Sequence, residues 1–239
     1  MDEFTYSQIF QRTALIASPG MVERLKAARV LVVGLGGVGS WCAEALVRTG
    51  IGHLTIIDRD RVDVSNINRQ LPAATSTVGM PKVEVLAAHF RDINPGLDIR
   101  AVFDFYSPDN AADYPLDDYD YIIDAIDSRD SKAELILRAT ASTARFYSSM
   151  GAARKLHASQ IAVAEFWKVQ GCPLARSLRQ WFKRREQYPA RKFRCVYSPE
   201  TIPQPERSPD GANGTFAHTT AIFGFTLASL VIEDLYTQK

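Results

Sequence analysis

The sequence predicts an α/β fold, a mostly parallel sheet with helices on both faces and a C-terminal α/β extension. Three observations predict it. Short β-branched runs alternate with longer amphipathic segments. The runs are apolar throughout, as in strands covered on both sides. A cluster of four glycines in VLVVGLGGVGSW joins the first run to the first helix. In order, Arg29–Val33 (RVLVV) reads as a strand and Val38–Thr49 as a helix closing on Gly50, a residue suited to a left-handed cap. His53–Ile57 is a second strand, ending at Asp58. Pro81–Ile93 is a helix with proline at its start, where a missing N–H costs little. Asp98–Phe103 and Asp120–Asp124 are strands, Ser131–Ala141 a helix and Arg145–Ser149 a strand.

Beyond Gly151 the pattern changes. Gln160–Trp167 alternates as a strand, Leu174–Arg185 is a basic helix, and Lys192–Tyr197 is another strand. Residues 198–214 hold four prolines and two glycines and form a long loop, of a length that is usually functional or mobile. Thr219–Tyr236 is apolar nearly all round, as a buried helix is. We therefore expect a nucleotide-binding region over 1–150. Residues 151–239 are then a substrate-binding extension of the same domain, ending in a C-terminal helix.

A chain of 239 residues with 46% apolar content can bury a core without disulfides or metals. Its net charge of +1 announces no polyanionic partner globally. Cys42, Cys172 and Cys195 form no C-x-x-C pair, which argues against a zinc knuckle and fits a reducing cytoplasm. MDEFTYSQIF has no basic segment of a signal peptide. The uncharged stretch HTTAIFGFTLASLVI is shorter than the ~20 residues of a spanning helix, so no membrane association is expected.

Gly34, Gly36 and Gly39 match G-x-G-x-x-G between a strand and a helix. Such a loop, with the N–H groups of the following helix, holds phosphate in Rossmann-like folds. Asp58 stands at the spacing of a ribose-binding acid. To this point a dinucleotide-dependent oxidoreductase fits as well as an ATP enzyme. ATP carries a third phosphate, and a reaction at its α-phosphate spreads further negative charge. That calls for cations near the phosphates and a carboxylate for magnesium. Asn66, Arg69, Lys82 and Asp127 are the required types, each after a predicted strand or at a helix start.

GLGGVGSW, the block D-x-D-x-V-x-x-S-N-x-N-R-Q from Asp58, V-G-x-x-K ending at Lys82, and DAIDS at Asp124–Ser128 resemble the ThiF-type adenylating family. That family includes ubiquitin-activating enzymes and adenylyltransferases of thiamine and molybdopterin biosynthesis. RTGIGHLTIID, INPGLDI, YDYIIDAIDS, GAARKL and CPLAR extend the likeness, over nearly the whole chain, to its branch that dehydrates threonylcarbamoyladenosine in tRNA. The resemblance implies ATP and magnesium as cofactors. It places Gly36, Gly37 and Gly39 in the phosphate loop, Asp58 on the ribose, and Asn66, Arg69 and Lys82 on the phosphates, with Asp127 at the magnesium. It implies a homodimer in which Arg12 reaches a nucleotide in the partner subunit. Three positions depart from the pattern: Arg154, the HAS of 157–159 in place of DPT, and Glu165 in place of aspartate.

The segment 176–194 carries Arg176, Arg179, Lys183, Arg184, Arg185, Arg191, Lys192 and Arg194 against one acid, Glu186. Trp181, Phe182, Tyr188 and Phe193 are interleaved as candidate stacking faces for tRNA bases. Lys155 is a further substrate candidate, and His218 and the 198–214 loop could close the site. Three other readings stay open. They are activation of a small sulfur-carrier or ubiquitin-like protein with a relay or recycling partner, NAD-dependent oxidoreduction, and a non-catalytic tRNA-binding scaffold.

Overall fold

The computed structural model describes residues 4–204, 206 and 211–238. Short helices α1 (Tyr6–Ile9), α2 (Gln11–Ile16) and α3 (Met21–Ala27) lead into β1 (Arg29–Val33), α4 (Gly39–Thr49) and β2 (His53–Ile57). Then come α5 (Lys82–Ile93), β3 (Asp98–Val102), β4 (Tyr121–Asp124), α6 (Arg129–Ala141) and β5 (Arg145–Ser149). The second part adds β6 (Ala162–Glu165), α7 (Pro173–Arg185), β7 (Arg194–Tyr197) and α8 (Ala217–Thr237).

The strands form one seven-stranded sheet in the order β3-β2-β1-β4-β5-β7-β6, with β6 antiparallel to β7 and the other pairs parallel. This is the expected α/β architecture. β7 pairs with β5, so the extension continues the same sheet. Alternate residues of β1 enter different cores: Val30 and Val32 pack with α4, α5 and α8, while Leu31 and Val33 pack with α6 and α7. Burial on both faces explains the unbroken β-branched runs.

Gly39 opens α4 so close to Gly34 that an added Cβ would lie 1.8 Å from the Gly34 carbonyl oxygen. Gly39→Ala therefore cannot keep the loop's backbone path. We expect a loss of at least ~1–3 kcal/mol of stability, read by urea denaturation. Gly224 of α8 lies as tightly on α4: its Cβ would come 2.5 Å from the Val38 oxygen.

Two sequence expectations are revised. The strand expected over Gln160–Trp167 shrinks to Ala162–Glu165, because Phe166 turns inward to stack on Phe193 with ring centroids 5.0 Å apart. α8 has 21 residues and the hydropathy of a membrane span, so the length argument fails; half of its most apolar window is buried within the fold. Within the expected loop, residues 205 and 207–210 lie outside the described residues, and its remaining described residues form no helix or strand.

Candidate nucleotide-binding cleft

A cleft of about 780 Å³ crosses the carboxyl ends of the strands, between Phe105 beyond β3 and Gly151 beyond β5. It spans the β1–β4 switch point, where open α/β sheets bind ligands. Gly34 adopts φ +90°, and a Cβ there would lie 2.7 Å from the Ala125 oxygen, so β1 can turn tightly only with glycine. Gly36 and Gly37 line the cleft. The N–H groups of Gly36, Gly37 and Val38 have no partner among the described residues. They and the start of α4 form a donor-rich, electropositive loop.

Asp58 is tied to that loop. Its carboxylate accepts from Leu35 N at 2.6 Å and Asp60 N at 2.7 Å. Burial raises its pKa above the ordinary value, against the opposing pull of Lys82 and these N–H bonds. Lys82 starts α5, is 3% exposed, and donates to Asp60 Oδ2 at 2.9 Å. Arg69 lines the cleft and donates to Ser65 O and Asn68 Oδ1. Asn66 is buried off the lining, its side chain accepting from Asp63 N within a short 3-10 turn. Asp127 lines the cleft as an exposed carboxylate. No group of three or more potential metal ligands exists among the described residues. One carboxylate beside phosphate oxygens does suit magnesium, which keeps most of its waters.

Sequence reasoning missed three features here. Gln70 lines the cleft with a buried Oε1 that has no partner. Ser128 precedes α6 without capping it, its buried Oγ likewise unpaired. Both stand in the motif blocks, which was the available signal. The third lies beneath the cleft: Asp124 and Lys132, both fully buried, pair at 2.8 Å. Ser148 Oγ and Ile126 N donate to Asp124, and Lys132 Nζ donates to Ile126 O. This network fixes the loop that carries Asp127 and Ser128.

The other candidates lie elsewhere. Arg12 is exposed on α2, off the cleft lining. Lys155 is 2% exposed and donates to Ser198 O and Glu200 O instead of facing the cleft; burial lowers its pKa. Arg179 donates to Phe166 O and Val169 O, and Arg191 to carbonyls at the end of α6. Arg176, Lys183 and Arg184 are exposed on α7. Trp181, Phe182 and Phe193 are buried and cannot stack on bases, because they form the core under α7. Tyr188 stays exposed. His218 Nε2 contacts Leu156 O at 2.9 Å.

Residues 154–157, which follow the cleft-lining Ala152 and Ala153, are strapped to residues 198–202 by hydrogen bonds. Glu200 accepts from the N–H groups of Leu156 and His157 and meets His157 Nδ1 at 2.6 Å. These bonds hold its pKa down to about 2, against 4.5 for an ordinary glutamate. A depressed carboxyl stabilises the fold above its unfolded pKa, and that contribution is lost as pH falls through the folded value. The strap should loosen between about pH 4.5 and 2, seen as faster hydrogen exchange at Leu156 and His157. Glu200→Gln should exchange fast already at pH 7.

The ThiF family model matches residues 7–238. The chain belongs to the ThiF family. As a ThiF-family protein it is 38% identical to the tRNA threonylcarbamoyladenosine dehydratase of Haemophilus influenzae, over 98% of this chain and 95% of the relative. Its identity to the Escherichia coli protein of the same name is 36%, over 96% and 94%. Among solved structures, E. coli TcdA in complex with ATP superposes with a TM-score of 0.89 at 36% identity, over 98% and 96%. The same dehydratase has also been solved with AMP, again with a TM-score of 0.89.

Proposed function

We propose that this ThiF-family chain is an ATP-dependent dehydratase that cyclises threonylcarbamoyladenosine in tRNA. The observation that carries the reading is the full-length likeness to a dehydratase solved with ATP, over a cleft where Gly36, Gly37, Asp58, Arg69, Lys82 and Asp127 converge. ATP lies with its ribose on Asp58 and its phosphates against the glycine loop. A threonyl carboxylate oxygen attacks the α-phosphorus, and the bond to pyrophosphate breaks. Lys82 leaves Asp60 for the phosphates, and with Arg69 it stabilises charge in the pentavalent state. Asp127 would hold magnesium, which would supply further charge neutralisation at the phosphates. The carbamoyl group then closes on the activated carbonyl, AMP departs and the carbamoyl proton is lost. The balance is loss of one water.

The ring closes within the substrate, so no protein thiol is required. Cys42, Cys172 and Cys195 are all buried, and burial pushes the Cys42 and Cys195 thiols up, away from the reactive thiolate. That geometry disfavours a sulfur relay. The enzyme acts in the cytoplasm as a homodimer, with Arg12 delivered to the partner's nucleotide. Pyrophosphate release with modified tRNA tests the reading. It should need ATP, be untouched by NAD, and persist in Cys172→Ala and Cys195→Ala; release that stops with Cys172→Ala would favour the relay.

A further inference from the structure

α7 puts its unpaired cations in two places. Arg176 follows Leu174, which lines the cleft, by two residues. Lys183 and Arg184 come nine and ten residues after Leu174, about 15 Å along the helix at 1.5 Å per residue. The far group does not stand alone. β6 runs antiparallel, so its Glu165 end, opposite Arg194, points away from the strand carboxyl ends and the cleft. Trp167 follows that end. Its ring lies 6.3 Å from that of Tyr188, and the two residues are 43% and 55% exposed. Beneath them Phe166 meets Phe182 at 5.9 Å and Phe193 at 5.0 Å. Trp167, Lys183 and Lys192 are the chain neighbours of these three rings, so they surround one aromatic core.

The exposed side chains of Lys168, Lys183, Arg184 and Lys192 have no partner among the described residues. Between residues 168 and 194 the sole acid is Glu186. A surface held together by its own ion pairs would mix signs, and this one does not. Cations around exposed rings suit a polyanion with flat bases, which is RNA.

We infer that this patch is a second RNA contact, remote from the cleft, which grips the strand flanking the reacting nucleotide. The inference rests on the proposed tRNA substrate. At an axial rise of about 3.4 Å per nucleotide in a stacked strand, the ~15 Å offset corresponds to roughly four nucleotides. Lys183 and Arg184 hold phosphates, and Trp167 with Tyr188 offers a stacking face.

The test compares a full-length tRNA carrying threonylcarbamoyladenosine with a trinucleotide centred on that nucleoside, which cannot span the offset. The variants are Lys183→Gln/Arg184→Gln and Trp167→Ala. By anisotropy, the double variant should bind tRNA about tenfold more weakly, with a log-affinity against log-salt slope smaller by about two. Trp167→Ala should lose about tenfold in tRNA affinity. The ratio of tRNA to trinucleotide affinity should fall in both. An unchanged ratio overturns the inference, whether both ligands weaken together or neither does. If the ratio falls but no dehydrated nucleoside forms, the contact stands and the proposed activity fails. Dehydration with an unchanged ratio leaves the activity standing and removes the contact.

Discussion

Lys132→Met should cost about 3–5 kcal/mol of stability, because it leaves the Asp124 carboxylate buried and unpaired. At 239 residues that corresponds to a fall of about 10 °C in Tm. Both partners are 0% exposed, so solvent cannot take over the lost interaction. Burial already raises the Asp124 pKa, with Lys132 opposing the shift. Once the ammonium is gone, the carboxyl can survive only by taking a proton. Asp124→Asn combined with Lys132→Met removes both charges and keeps an acceptor for Ser148. That double variant should recover most of the loss, and thermal melts of the two singles and the double measure the coupling. A loss in the double variant equal to the sum of the two single losses would mean that the two residues are not coupled and that the pair does not hold the cleft floor.

Lys82→Met should separate stability from function. Its partner Asp60 is 56% exposed, so the freed carboxylate is readily hydrated and Tm should move little. The adenylation step should lose its charge stabilisation on the phosphates. A fall of about 10²–10³ in kcat is expected, the size found when one preorganised donor is removed from a transition state. Single-turnover pyrophosphate release measures it. If Lys82 only ordered the Asp60 loop, Tm would drop and kcat would hold.

Much of this was legible in the sequence, where local chemistry leaves little choice. Gly34 needs a positive φ, Gly39 needs the absence of a Cβ, and a strand buried on both faces shows as a short apolar run such as RVLVV. Gly36, Gly37, Asp58, Arg69, Lys82 and Asp127 share one cleft because each follows a strand end or opens a helix along one edge. What escaped depends on the partner. A lysine in the first turn of a helix reads as solvated, yet Lys132 is buried because Asp124 ends the strand beside it. The eight cations of 176–194 look alike in sequence. The structure divides them: Arg179 and Arg191 bind carbonyls, while Lys183 and Arg184 remain free among the described residues. Aromatic interleaving misled for the same reason, since Phe182 and Phe193 lie with Phe166 beneath the patch, Trp181 is buried against Phe182, and Trp167, outside the basic run, is the exposed ring. Arg12 lies off the cleft of its own chain, so a role there needs a second subunit.

In the proposed reaction the cleft activates a carboxylate at the α-phosphate of ATP so that the substrate can close on itself. The most direct measurement is the mass of the modified nucleoside after incubation of tRNA with the protein, ATP and magnesium. The expected result is loss of one water with one AMP and one pyrophosphate formed per event, and no loss with Asp127→Ala. A nucleoside of unchanged mass, from protein shown to bind both ATP and the tRNA, would contradict it.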